Sequence, residues 1–190
     1  MSLTVEKCLQ AWTNSLKQMK AKADIVFFGD SLVFYGNFAT VFPDKVVCNL
    51  GLRGDTIQGL INREEQVVSL APQYVYVMVG INDVTKTPFG LFREKYRTLL
   101  QYIKKDIPKT SIIVQGILPV NNIDFQISCT NNEIVAYNEI ISELATEFGV
   151  TYMDLYSIYI KEGLLPKDMT WDGIHLFPSG YELWYQLLIE

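Results

Sequence analysis

Four short, almost unbroken apolar runs, each meeting a glycine near its end, constrain this chain's fold more than any other feature: Asp24-Ile-Val-Phe-Phe-Gly29, Lys45-Val-Val-Cys-Asn-Leu-Gly51, Tyr74-Val-Tyr-Val-Met-Val-Gly80 and Ser111-Ile-Ile-Val-Gln-Gly-Ile117. A strand with one wet face alternates apolar and polar residues. A solid run needs cover on both faces, which is the pattern of a parallel sheet between two layers of helices. Val150-Thr-Tyr-Met-Asp154 reads as a weaker fifth strand. Helix-length segments separate the runs, at Thr56 to Leu70, Phe89 to Asp106 and Asn131 to Phe148, and Ser179 to Ile189 closes the chain. Val5, Leu9, Trp12, Leu16 and Met19 recur at helical spacing and predict an amphipathic helix ahead of the first strand. The expected architecture is a three-layer α/β/α sandwich with about five parallel strands. A length of 190 residues, 49% hydrophobic and 19% charged, suits one domain over residues 1–190.

Charge and cysteine usage narrow the function classes. A net charge of −5 argues against nucleic-acid binding, which normally needs a basic face; the lysines between Lys17 and Lys22 read as a solvated helix surface. Cys8, Cys48 and Cys129 are odd in number and far apart, so neither a disulfide framework nor a zinc site is expected, and Cys48 in its apolar run reads as a buried small hydrophobe. No cofactor and no metal is implied. Met1 to Lys22 lacks the apolar core of a signal peptide, and no stretch reaches the roughly 18 apolar residues of a membrane span. The expectation is a soluble protein, cytoplasmic as given, periplasmic or secreted if a cleaved signal preceded it, and a monomer or homodimer.

In open α/β sheets, functional residues gather beyond the C-terminal ends of the strands. The first strand is followed there by Gly29-Asp30-Ser31-Leu32. A serine entering a turn at that place can present its hydroxyl as a nucleophile, and the plain alternative is a helix N-cap. The second strand leads into Asn49-Leu-Gly-Leu-Arg-Gly-Asp-Thr56, a glycine turn whose bare backbone N–H groups can approach a ligand, or simply a strand-to-helix turn. The third delivers Gly80-Ile-Asn-Asp83, where Asn82 can aim its amide at a developing oxyanion or serve a turn. Near the C-terminus, the sole histidine, His175, follows Asp172 by three residues. That spacing lets the carboxylate reach one ring nitrogen and leaves the other for a serine. Asp30 reads as structural, Phe34, Tyr35, Phe38, Ile81, Val84, Trp171 and Phe177 as core or pocket wall, and polar Asn121 to Asn132 as a loop beside the site.

Taken together and in this order, these four blocks resemble the SGNH hydrolase superfamily, the GDSL esterases and lipases: Gly29 to Leu32, the glycine block Asn49 to Thr56, Gly80 to Asp83, and Asp172 to His175. The bulky Val33-Phe34-Tyr35 after the serine departs from the small or polar residues often found there. The resemblance implies a flavodoxin-like fold and ester hydrolysis. It implies Ser31 as nucleophile, His175 as general base and Asp172 as its orienter. The oxyanion hole would be the N–H of Ser31, the N–H of Gly54 and the side chain of Asn82. The substrate implied is a small ester; an acetylated carbohydrate is the first alternative, then a thioester or a lysophospholipid. A flavodoxin-like binding domain is the non-enzymatic rival, although the turn after the first strand offers a phosphate neither a glycine-rich cradle nor a lysine.

Overall fold

A computed structural model describes Ala11, Thr13 to Ser15 and residues 22–188. Within the helix predicted from Val5 to Met19, Ala11 and Thr13 to Ser15 are helical; Val5, Leu9, Trp12, Leu16 and Met19, and Cys8 with them, lie outside the described residues. Five strands form one parallel sheet: β1 (Ile25–Gly29), β2 (Val47–Gly51), β3 (Tyr74–Met78), β4 (Ser111–Gln115) and β5 (Thr151–Met153), in the order β2-β1-β3-β4-β5. That order is flavodoxin-like, and its direction reverses at β1, so the crevice opens beyond the ends of β1 and β3. The helices are α1 (Ser31–Tyr35), α2 (Ile57–Asn62), α3 (Glu65–Leu70), α4 (Phe89–Asp106), α5 (Asn131–Phe148), α6 (Leu155–Tyr159) and α7 (Pro178–Leu187).

The apolar runs are solid because both sheet faces are covered. Val26, Phe28, Val75 and Val77 pack on one side with Phe92, Tyr96 and Leu99 of α4 and Ile141 and Leu144 of α5. Ile25 and Phe27 face the other side, with Leu32 and Val33 of α1, Leu155 of α6 and Trp184 of α7. The sheet and its two helical layers are therefore the expected α/β/α sandwich. Helix α5 runs from a capping box of Thr130 and Glu133 to Gly149 at φ 59°, the left-handed stop that glycine takes without a Cβ penalty.

Two local differences bear on the site. Residues 31–35 form a short helix capped by Asp30, so the serine is the first helical residue rather than the cap. The segment read as one helix from Thr56 to Leu70 is two, broken where Arg63 leaves helical geometry at φ −131°. No glycine or proline marks that break; it follows from the arginine turning inward, as described below.

Candidate active site

Ser31 is placed by close backbone packing. A Cβ on Gly29 would lie 2.1 Å from the Met78 carbonyl oxygen, and one on Gly51 would lie 2.2 Å from the Phe34 nitrogen. Glycine at these two places lets β1 approach β3, and β2 approach α1, at van der Waals distance. Asp30 Oδ1 accepts the Leu32 N–H at 3.0 Å, and the Tyr181 hydroxyl donates to the Leu32 carbonyl at 2.8 Å, which ties α1 to α7. Asp30 is thus structural, as its place in the turn suggested.

The loop before α7 is wound around Asp172. Its Oδ1 accepts the backbone N–H groups of Ile174 at 3.0 Å and His175 at 2.8 Å, while Oδ2 lies 2.6 Å from His175 Nδ1. Gly173 at φ 89° makes this tight turn possible, and its carbonyl accepts the Asn121 N–H at 2.9 Å, fastening the loop to the segment after β4. His175 Nε2 lies 2.8 Å from Ser31 Oγ, across 144 residues of chain. Burial pushes the Asp172 carboxyl upward, but the backbone and ring hydrogen bonds of His175 and the Ile174 N–H outweigh it, and the net shift is below the usual carboxylate range. An ionised carboxylate only accepts, so Nδ1 carries the proton and Nε2 offers its lone pair to the serine hydroxyl.

Asn82 lines the same small cavity as Ser31 and His175, of about 210 Å³, with Ile81, Val84 and Ile127 among its apolar walls. One N–H of its amide goes to the Asp55 carbonyl at 2.9 Å, leaving the second as a donor. Gly54 does not line this cavity. It is exposed at φ 74°, a conformation that favours glycine, directly before the Asp55 that Asn82 grips. The structure therefore joins Ser31, His175 and Asp172 by direct contacts, brings Asn82 to their cavity, and keeps Gly54 in the adjoining turn.

Beneath the crevice lies a buried polar cluster. Asp30, Asp55, Arg63 and Asp83 are each at most 8% exposed. Arg63 Nε donates to Asp55 Oδ2 at 2.8 Å, Nη1 to the Leu50 carbonyl at 2.8 Å and to Gln66 at 3.3 Å, and Nη2 to the Gly29 carbonyl at 2.9 Å. The guanidinium also sits 4.4 Å over the Phe28 ring, a cation–π contact. Asp83 accepts the Ile57 N–H at 3.0 Å and the Thr87 hydroxyl at 3.0 Å, holding the start of α2. Asp30 Oδ2 has no hydrogen-bond partner, and burial pushes the Asp30 carboxyl up to about 7 against the Leu32 N–H, which lowers it. Arg63 was invisible as a site residue in the sequence, where Glu64 and Glu65 beside it suggest an ordinary solvated charge run.

The aromatic residues divide. Phe38 is core, whereas Phe34, Tyr35, Trp171 and Phe177 are 38% to 47% exposed. Trp171 stacks on the His175 ring at 5.4 Å and 11°, and Tyr35 meets that ring edge-on at 5.5 Å. Ile81 and Val84 are buried but contribute to the cavity wall, and the loop after β4 supplies Gln126, Ile127, Ser128 and Cys129. Burial raises the thiol of Cys129, and that of Cys48, above the ordinary value, which disfavours the thiolate a nucleophile needs. A larger cavity of about 670 Å³ opens at the opposite, N-terminal ends of the strands, among Asp24, Val46, Gln73, Ile107 and Thr110, and holds none of these groups. Among the described residues no cluster of three or more His, Cys, Asp or Glu could hold a metal ion, and no helix is long and apolar enough to cross a membrane.

The profile of the GDSL-like Lipase/Acylhydrolase family matches residues 27–183, so the chain belongs to this family and is a hydrolase acting on esters. An acetylxylan esterase of Geobacillus stearothermophilus is 27% identical over 162 residues, 77% of this chain and 72% of that protein. The fold matches that of a Streptococcus pneumonia protein described as a candidate platelet activating factor, with TM-score 0.84, 24% identity, and 95% and 90% of the two chains covered. It also matches a GDSL-like lipase of Bacteroides thetaiotaomicron, with TM-score 0.77, 20% identity, and 97% and 95% covered.

Proposed function

We propose that the chain is a serine esterase that hydrolyses a small carboxylic ester through an acyl-enzyme. The observation that carries this reading is the continuous path Ser31 Oγ, His175 Nε2, His175 Nδ1, Asp172 Oδ2, with links of 2.8 and 2.6 Å on either side of the ring. His175 Nε2 takes the hydroxyl proton as Ser31 Oγ bonds to the ester carbonyl carbon. The carbonyl π pair moves onto oxygen, and the oxyanion is met by the N–H groups of Ser31 and Gly54 and the second N–H of Asn82. Collapse of this intermediate breaks the bond to the alcohol oxygen, which leaves with the proton from His175. Water then attacks the acyl-enzyme by the same route and releases the acid and free Ser31. Asp172 fixes the tautomer and stabilises the transient imidazolium.

The cavity supports a short acyl group. Its volume of about 210 Å³ falls below the roughly 300–1,000 Å³ of pockets that take drug-sized ligands. The long acyl chain of a lysophospholipid fits it poorly. A panel of 4-nitrophenyl esters from acetyl to long-chain acyl, run with the intact protein and Ser31→Ala, tests the mechanism. Fastest turnover of the acetyl ester, abolished by the substitution, is expected; no turnover of any ester, or unchanged turnover after the substitution, would defeat it.

A second reading, carbohydrate O-acetylesterase, is favoured by the exposed aromatic rim. Tyr35 and Trp171, both touching His175, wall a second depression of about 380 Å³ together with Asn37 and Glu182. Flat apolar faces flanked by polar groups suit a sugar ring beside the catalytic histidine. The similarity to an acetylxylan esterase points the same way. Higher kcat/KM on acetylated xylo-oligosaccharides than on ethyl acetate supports this substrate class; no preference removes it and leaves the esterase reading intact.

A further inference from the structure

We propose that Arg63 is a positioning residue for the esterase reaction, a single guanidinium that sets the distance between the nucleophile turn and the oxyanion turn. The inference rests on the serine-esterase reading above. Each of its main acceptors belongs to a different piece of the site. Gly29, whose carbonyl takes Nη2, ends β1 two residues before Ser31. Leu50, whose carbonyl takes Nη1, lies near the end of β2, from which the glycine turn departs. Asp55, whose carboxylate takes Nε, follows Gly54 directly, and its own carbonyl orients Asn82 at 2.9 Å. One planar group thus touches the supports of all three proposed oxyanion donors.

The surroundings are shaped to hold that group in one orientation. Phe28 covers a face of the guanidinium at 4.4 Å. A Cβ on Gly59 would fall 1.6 Å from Asp55 Oδ1, so glycine there makes room for the carboxylate that Arg63 grips. Asp55 Oδ1 also takes the Thr56 N–H at 2.9 Å, so neither carboxylate oxygen is free to rotate away. Four of the five guanidinium N–H donors are engaged in these contacts, counting Gln66. A lysine ammonium has three tetrahedral donors on a flexible stem and cannot span the same acceptors in one plane. A merely stabilising ion pair would need only Asp55; the two strand-end carbonyls are what link the arginine to the geometry of catalysis. Site geometry must hold to within about 0.5 Å for efficient chemistry, so a relaxed spacing lowers turnover more than it weakens substrate binding.

The test uses the full chain and 4-nitrophenyl acetate. Arg63→Lys should lower kcat by about 30-fold or more with KM changed less than about threefold, at a temperature where circular dichroism shows the variant folded. The rate of covalent labelling by an organophosphonate, which develops charge in the same hole, should fall in parallel. Arg63→Ala should regain part of its kcat on adding millimolar guanidinium, and none with methylammonium. If the Arg63 variants do not fold, Asp55→Asn, which keeps an oxygen for Nε but removes the charge, should show the same fall in kcat at unchanged KM. Wild-type kcat in a folded Arg63→Lys or Asp55→Asn variant, or a loss that tracks only the fraction unfolded, would overturn the proposal. Failure of the intact protein to cleave any ester defeats the mechanism itself, whereas full activity after Arg63→Lys defeats only the role of Arg63.

Discussion

The exposed mouth of the crevice and the buried cluster beneath it are built on opposite terms. At the mouth, His175 and Asp172 keep side-chain exposures of 22% and 40%, and a chain of side-chain contacts runs from Asp172 through the His175 ring to Ser31. Below, Arg63, Asp30, Asp55 and Asp83 are nearly inaccessible and bond mostly to backbone and to one another. Groups that exchange protons with a substrate have to be reached by it. Groups that hold strand ends in place have to be shielded, because a charge-assisted hydrogen bond is stronger and stiffer away from water. The difference predicts that substitutions at the mouth remove chemistry at little cost in stability, and that substitutions below change both.

The largest effect belongs to the mouth. Ser31→Ala and His175→Ala should each lower kcat by about 10⁴-fold or more with thermal unfolding midpoints close to the parent, measured by ester hydrolysis and calorimetry. No other histidine exists to substitute for His175. Asp172→Asn should cost on the order of 10³- to 10⁴-fold, because an amide can donate to Nδ1 and reverse the tautomer. Wild-type turnover in this variant would show that the Asp172 contact at 2.6 Å does not orient the base.

Asn82→Ala bridges the two regions and should lower kcat by about 10²- to 10³-fold, the range for loss of one oxyanion donor. A fall in stability without a fall in kcat would assign Asn82 to the buried support alone. Asp30→Asn should produce the smallest effect on turnover and a clear one on stability. The folded carboxyl is raised from 3.8 to about 7, so the native state binds the extra proton between those values. Its contribution is present at low pH and is lost as pH rises toward and through 7. Unfolding midpoints of the parent should therefore decline relative to Asp30→Asn from about pH 4 to pH 7. A parallel pair of curves would show that Asp30 is ionised throughout, balanced by Arg63.

The two regions were not equally legible in the sequence. Ser31, Asn82, Asp172 and His175 stand at strand ends or in a marked turn, and α/β topology sends such places to one crevice. The strands, and α4 and α5 to the residue, follow from the solid apolar runs and the helix-length segments between them, which are local features of the sequence. Arg63 could not be read this way. Its inward turn depends on acceptors at Gly29, Leu50 and Asp55, which only the closed sheet assembles, and it breaks a helix without a glycine or proline to announce it. Tyr181, which anchors α1 through Leu32, lies farther still along the chain, 149 residues away. The exposure of Tyr35 and Trp171 also needed the structure, since an aromatic residue near a strand end is as readily core, as Phe38 is.

The most direct test of the central claim is covalent labelling by an organophosphonate, read by intact mass and peptide mapping. The intact protein should gain one adduct at Ser31 and lose its esterase activity in proportion, while Ser31→Ala should gain none and His175→Ala should label far more slowly. Esterase activity that survives complete labelling, or an adduct mapped to any residue other than Ser31, would contradict it.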